Sequence, residues 1–224
     1  MAKLKNKLVY EDKWEEYLET AIEASKKKNY KKFEELMHKA LKEGEKYQQN
    51  PHLQPDYPVW FIDDMVAGPL SMLGSYYLSK DKFEKARQYL ERSLEIHLKH
   101  EIKDMEFLDE LIQDLSEAYC SLHMHNEDVK HCTRTLEVLS EQLGSDSPDM
   151  IPTLNELAMA YCSLGKLSSA ENTYKQALKI AEAACGVESE EYEEALAMLE
   201  EFEEEKDWAV CDCHPLAATL IKPL

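Results

Sequence analysis

The chain repeats itself every 42 residues, without a gap, over three units. Tyr77, Tyr119 and Tyr161 align, as do Leu94, Leu136 and Leu178, and then Ile96, Val138 and Ile180. The clearest pair is Tyr119-Cys-Ser-Leu122 over Tyr161-Cys-Ser-Leu164. Gly144 and Gly186 align as well, each followed by a polar, acidic stretch. A fixed period of this size marks stacked supersecondary units, each too small to bury its apolar face alone. It constrains the fold more than any other feature of the chain.

The spacing inside a unit predicts two helices. In the last unit Leu154, Leu157, Ala158, Tyr161 and Cys162 share one helical face. Leu164-Gly165-Lys166 breaks it, and Ala170, Tyr174, Ala177, Leu178 and Ala181 mark a second helix. Small residues such as Ala158 and Ala170 are placed to let the two helices approach. Ser147-Pro148 reads as an N-cap followed by proline at the first helical position. Gly144 and Gly186 fall where a helix C-terminus calls for a left-handed residue. Period-two alternation is not sustained anywhere, so strands are not expected. Only 6 glycines in 224 residues also disfavour sandwiches, barrels and nucleotide-binding sheets.

The unit resembles the tetratricopeptide repeat. Leu157-Ala158, Tyr161, Gly165, Leu167, Ala170, Tyr174 and Ala177-Leu178 carry the resemblance, and Gly74, Tyr77, Asp81, Phe83, Ala86, Leu90, Ser93 and Leu94 carry it upstream. The 42-residue spacing is similar to the kinesin-light-chain-like subclass. The middle unit departs from the pattern: His123, His125, Asp128, Cys132 and Thr135 replace the usual glycine, aromatic and alanine positions. If Asp128 occupies the small buried site, Asp128→Ala is expected to stabilise the protein. The resemblance implies an all-α fold, a right-handed α-solenoid of helix-turn-helix repeats with a C-terminal capping helix.

A degenerate unit precedes these three, since Asn29-Tyr30, Phe33, Met37 and Ala40-Leu41 echo the second helix. Pro51, Pro55 and Pro58 punctuate the next segment, where Tyr57, Trp60 and Phe61 either pack between units or meet a ligand. The expected organisation is residues 1–47 as N-terminal segment and degenerate unit, and 48–66 as a proline/aromatic linker. Three full units come next over 67–187, then an acidic capping helix at 188–207 and a tail at 208–224. The stretch 188–207 holds 11 acidic residues against Lys206. Tyr192, Ala195, Leu196, Leu199 and Phe202 recur at helical intervals there, which predicts an amphipathic helix with a solvated acidic face.

Charge then narrows the partners. The chain carries 45 acidic and 26 basic side chains, a formal net charge of −19. Nucleic acid and anionic membrane are not expected as partners, because both require Lys and Arg to neutralise phosphate. No apolar run reaches the roughly 18 residues of a membrane span, and no signal-peptide core follows the basic start. With six cysteines set mainly in helical patterns, reduced thiols and a cytoplasmic location are expected.

Enzymatic signatures are missing: there is no phosphate loop, nucleophile elbow or His-Glu-x-x-His. Cys211-Asp-Cys213-His214 is at best half a metal site. Cys120, His123, His125, His131 and Cys132 gather at a turn without ligand spacing, so no metal and no cofactor is expected. The function implied by the resemblance is a non-catalytic scaffold with a protein or peptide partner. In this family the first helices of successive units line a concave groove. By register its residues are Ser71, Ser75 and Leu78, then Gln113, Glu117 and Cys120, then Asn155, Met159 and Cys162. An amide at Gln113 or Asn155 can donate and accept at once, which suits an extended backbone. Glu110, Asp114 and Glu117 favour a neutral or basic peptide. The positions lack the Lys and Arg of a carboxylate clamp, which disfavours an acidic chaperone tail. The alternative reading is a structural subunit, a homo-oligomer or part of a larger complex, assembling through outer helices and tail.

Overall fold

The structure is a computed structural model that describes residues 2–53, 58–102 and 104–210. The chain divides into two compact units, Met1–Asp104 and Met105–Leu224. The described residues form nine α-helices and no strand, which is the expected all-α class.

The first unit holds α1 (Ala2–Lys26), α2 (Tyr30–Gln49), a short 3-10 turn at Pro51–Leu53, α3 (Val59–Leu78) and α4 (Phe83–His97). Helix α1 packs on α2, α2 on α3, and α3 on α4. The α3 helix is apolar nearly all round, and it buries Ile62, Met65, Val66, Ala67, Leu70 and Leu73. The expected linker over 48–66 therefore needs correction, because the chain is helical from Val59. Pro58 is in extended backbone and caps α3, so proline here starts a helix instead of prolonging a loop. Of the three aromatics assigned to that segment, Phe61 packs against Tyr47, Ile62 and Met65, and Trp60 is largely exposed. Tyr57 lies outside the described residues. Asp63 on the same helix accepts from Gln48 Nε2 at 2.6 Å and meets His100 Nε2 at 2.6 Å, tying α2 and the end of α4 to α3.

Three residues of this unit form one device. Pro69 sits inside α3 and has no N–H to offer the carbonyl four residues back, that of Met65. Trp14 Nε1 of α1 donates to that carbonyl at 2.9 Å. Gly44 of α2 rests directly on it: a Cβ at Gly44 would stand 2.5 Å from the Met65 oxygen.

The second unit holds α5 (Met105–Ser121), α6 (His125–Leu143), a 3-10 turn at Pro148–Met150, α7 (Ile151–Ser163), α8 (Leu167–Ala184) and α9 (Glu190–Val210). Helix α7 packs against α5, α6 and α8, and α9 against α8 and α7. Ala158, Ala170 and Tyr174 join Leu199 and Phe202 of α9 in one apolar cluster. The capping helix thus turns Ala195, Leu199 and Phe202 inward and leaves most of its glutamates in water, as the spacing predicts. Its single lysine, Lys206, donates to Glu171 of α8. The helix runs on to Val210, three residues into the expected tail, and 211–224 lie outside the described residues.

The repeat period is visible in the backbone. Each helix pair turns on one residue of positive φ: Lys28 (57°), Asp81 (55°), His123 (56°) and Gly165 (69°). The last three are 42 residues apart. The residue after each donates back to the last turn of the preceding helix: Lys82 to Tyr77 at 2.9 Å, Met124 to Tyr119 at 2.8 Å and Lys166 to Tyr161 at 2.9 Å. The repeated tyrosine therefore marks the carbonyl that closes the turn. Gly144 and Gly186, at φ 95° and 92°, end α6 and follow α8, as expected from their places in the sequence. Ser147 caps the 3-10 turn with Pro148 at its first position, and α7 starts after it at Ile151.

Candidate functional site

Helices α5 and α7 stand side by side in the second unit, and a cleft of about 640 Å³ opens between them, reached by Met198 of α9. Its polar lining comes from Glu106, Asp109, Glu110 and Gln113 of α5, and from Thr153, Asn155 and Glu156 of α7. Residues 106, 109, 110 and 113 recur at three and four, so one face of α5 presents all of them. Ile112, Pro152, Met159 and Met198 supply the apolar part. Among the described residues no Lys or Arg lines the cleft.

The nine groove residues expected from the register fall into three groups. Gln113, Asn155 and Met159 line this cleft together. Glu117 and Cys120 are exposed on α5 but do not line it, and Cys162 packs instead toward the Tyr174–Phe202 cluster. Burial, with the Glu205 carboxylate nearby, pushes the Cys162 thiol up to about 11. On α3 of the first unit Ser75 is exposed, whereas Ser71 and Leu78 are buried.

Eight of the eleven lining residues are absent from the register-based set, and four of these, Glu106, Asp109, Thr153 and Glu156, are polar residues that the sequence reading did not name at all. A signal for three was present. Glu106 and Asp109 lie seven and four residues before Gln113 on the same helical stripe, and Glu156 follows Asn155. Burial was not legible. The Asp109 carboxyl is held up at about 6 by desolvation, reinforced by the Asp149 charge. Glu156 is pushed to about 7 by desolvation and then by Asp128. Asp109 Oδ1, Asn155 Oδ1 and Thr153 Oγ1 are each buried without a hydrogen-bond partner among the described residues.

Behind the cleft lies the departure noted in the middle unit. Asp128 is buried, 4% exposed, at the register position of Ala86 and Ala170, which are fully buried. Facing it is Ser116, at the position of Gly74 and Ala158, and Ser116 Oγ donates to Asp128 Oδ1 at 2.9 Å. Cys132 Sγ donates to the same oxygen at 3.7 Å. The small–small contact of the neighbouring units is thus replaced by a matched polar pair. Desolvation raises the Asp128 carboxyl, opposed by the Ser116 and Cys132 hydrogen bonds and the His125 charge. Burial and the Asp128 charge also push the Cys132 thiol up.

This changes the expected result of Asp128→Ala. Alone, it removes the Asp128 acceptor of the buried Ser116 hydroxyl, so relief from desolvation is offset by the loss of that hydrogen bond. The Ser116→Ala/Asp128→Ala chain restores two small apolar neighbours and is expected to be more stable than either single variant, by about 1 kcal/mol. Urea titration checks this. A double variant no more stable than Asp128→Ala would mean that Ser116 gains nothing from its partner.

The remaining polar groups near the turn do not converge. His131 stacks on Tyr119 with centroids 5.4 Å apart, and His123 meets His125 edge-on at 6.1 Å. Among the described residues no three His, Cys, Asp or Glu side chains are grouped to hold a metal ion. Cys120, Cys132, Cys162 and Cys185 are free thiols. Cys211, Cys213 and His214 lie outside the described residues. No described helix is long and apolar enough to cross a membrane.

Comparison with known proteins gives the same pattern. Tetratricopeptide-repeat family models match residues 67–100 and 110–183. Among solved structures, the chain is similar to the nearly identical TPR-like repeats of a putative kinesin light chain from Podosopora anserina. The TM-score is 0.57 at 17% identity, covering 87% of this chain and 87% of that one. It is also similar to a signal-transduction ATPase with a tetratricopeptide-repeat sensor from Pyrococcus horikoshii. There the TM-score is 0.56 at 20% identity, over 89% of this chain and 28% of that one. No curated protein matches. These likenesses show the fold, and TPR arrays of this kind are in general non-catalytic scaffolds for protein partners. With two matched segments, the 42-residue register and a fold similar to kinesin-light-chain TPR-like repeats, residues 67–100 and 110–183 of the chain are tetratricopeptide repeats.

Proposed function

We propose that the α5–α7 cleft of the second unit receives an extended peptide segment of a partner protein. The observation that carries this reading is the pairing of two amides, Gln113 and Asn155, in one cleft, with the Asn155 oxygen unpaired. An extended strand offers an N–H and a C=O at each residue, and an amide side chain can satisfy both. The apolar lining from Ile112 and Met159 accepts side-chain surface. Every lining side chain but Met198 stands on or beside α5 and α7, so the cleft walls are fixed on helices and little ordering is needed on the scaffold side. Glu117 and Cys120, exposed on α5, belong to the surface that the register assigns to the same role.

Gln113→Ala combined with Asn155→Ala is expected to weaken capture of a partner by about tenfold or more, at unchanged thermal stability, since each amide contributes of the order of 1 kcal/mol. Partner retained from an extract by the immobilised wild-type chain, then titrated against both proteins, gives the measurement. Equal affinity would move the interface off this cleft. Size-exclusion chromatography with light scattering serves the second reading: a stable monomer counts against self-assembly.

A further inference from the structure

We infer that the α5–α7 cleft contains a subsite for one arginine side chain of the partner segment, with the guanidinium held by Asp109, Thr153 and Asn155. This rests on the peptide-binding reading above and narrows it to a partner chemistry.

Three observations support it independently. The first is charge: Glu106, Asp109, Glu110 and Glu156 line the cleft and, among the described residues, no basic side chain does, so this lining is complementary to a cation. The second is unmet hydrogen bonding. Thr153 is 0% exposed, yet its Oγ1 has no partner among the described residues, and Thr153 lines the cleft as do Asp109 and Asn155, whose Oδ1 atoms are also unpaired. Native proteins seldom leave buried polar atoms unpaired, because each has given up its hydration without return. Three such atoms, on the two helices that wall the cleft, are all of a kind that accepts from a donor-rich group. The third is shape. Ile112, Met159 and Met198 form an apolar wall that suits the methylene stem of a long basic side chain.

The acceptors are spread along two helices instead of focused on a point. No three described acidic, His or Cys side chains are grouped as metal ligands, which argues against a compact divalent cation. A lysine ammonium is likewise a point charge with three donors. A guanidinium carries five N–H donors in a planar fork and can bridge separated acceptors at once. It is also less strongly hydrated than an ammonium, so it loses less on entering a half-buried cleft. Met198 brings the capping helix to this subsite, giving α9 a place in recognition beyond covering the last unit.

The test uses the full chain and a random peptide library displayed on phage. Peptides selected on the wild-type chain are synthesised in three forms, with the shared basic residue as arginine, as lysine, or as citrulline. Citrulline keeps the shape of arginine and removes the charge. Fluorescence anisotropy then gives affinities for the wild type, for Asp109→Asn and for Glu110→Gln. Glu110 is exposed, so its variant retains the fold even if Asp109→Asn proves unstable. The expected result is a shared arginine, a loss of about tenfold or more on citrulline substitution, and a clear preference for arginine over lysine. Asp109→Asn should shrink the arginine–citrulline ratio to about twofold while leaving citrulline-peptide affinity unchanged, and Glu110→Gln should reduce it partly.

Selected peptides that lack a basic position, yet bind the Gln113→Ala/Asn155→Ala chain weakly, would overturn the arginine subsite and leave the peptide cleft standing. Equal binding of lysine and arginine forms would overturn the guanidinium assignment. Peptides indifferent to Gln113 and Asn155, or no selected peptides at all, would overturn the cleft and its subsite together.

Discussion

Gly44→Ala is expected to destabilise the first unit by about 2–3 kcal/mol, although alanine is the better helix former by about 1 kcal/mol. The added Cβ would stand 2.5 Å from the Met65 oxygen, 2.9 Å from its carbon and 3.2 Å from Val66 Cγ2. Two of these atoms are backbone of α3, so no side chain can swing aside. The carbonyl cannot withdraw either, because Pro69 leaves it without a helical partner and Trp14 Nε1 holds it at 2.9 Å. Relief would require α2 and α3 to part, exposing Met37, Ala40 and Val66, which are fully buried. Gly68→Ala is the control. It lies on α3 with nothing but its chain neighbours within 4 Å of the place its methyl would take, and the helix gain is opposed only by the crowding of a residue before Pro69, so the net change should stay within about 1 kcal/mol. Thermal melting of both variants, with hydrogen exchange to locate the opening, provides the readout. Similar melting temperatures for Gly44→Ala and Gly68→Ala would show that the α2–α3 approach is not tight.

Glu156→Gln is expected to stabilise the second unit by about 2 kcal/mol at about pH 8 and to leave it unchanged at about pH 4. The sign comes from the direction in which the carboxyl is displaced. Glu156 sits at about 7 in the folded chain against 4.5 for an unperturbed carboxyl. The folded state therefore holds the proton more tightly, and stability is lost as pH rises from the unfolded value through about 7. Asp109, at about 6, adds a loss of the same sign over a lower window. The magnitude for Glu156 is set below the full linkage value because the side chain is only partly buried and water screens it. His97 titrates in the opposite sense, since burial lowers its proton affinity, so the difference between wild type and variant isolates Glu156. Urea midpoints across the pH range measure it. Parallel curves for the two proteins would show that Glu156 is not held in its neutral form near pH 7.

The pH effect and the arginine subsite have a common origin. A cleft that collects carboxylates without cations is poorly solvated for negative charge, and it responds by binding protons or a basic group. Asp109 serves both: it is raised when the cleft is empty and is an acceptor for an entering guanidinium. The chain accepts this local cost within a unit whose cluster of Ala158, Ala170, Tyr174, Leu199 and Phe202 is well packed.

Much of the fold was legible in the residues. Apolar spacing located the helix pairs because apolar residues at helical intervals mark the faces that a helix turns to its neighbours. Gly165 announced its turn, while His123 was legible only by register, since histidine does not favour φ 56° by itself. The segment 48–66 reads as a linker because its prolines mask a helix start: Pro58 opens α3, and Pro69 sits within it. Gln113, Asn155 and Met159 were legible as one surface because the repeat carries one helix onto the next. Asp109 and Thr153 were not, because a polar side chain with a buried oxygen and one in open water look alike in sequence.

The sequence by itself determined the repeat, the helix pairs, the glycine helix ends and the acidic outer face of α9. Periodicity and local dihedral preference act over a few residues, and each unit repeats the same local rules. Only the tertiary structure decided which helix faces meet without room for a methyl group, as at Gly44 and Met65. It alone decided that Ser116 pairs with Asp128, and that three residues with unpaired polar atoms line an acidic cleft from two helices. Those outcomes depend on the distances between helices, and no pattern along a single helix encodes such a distance.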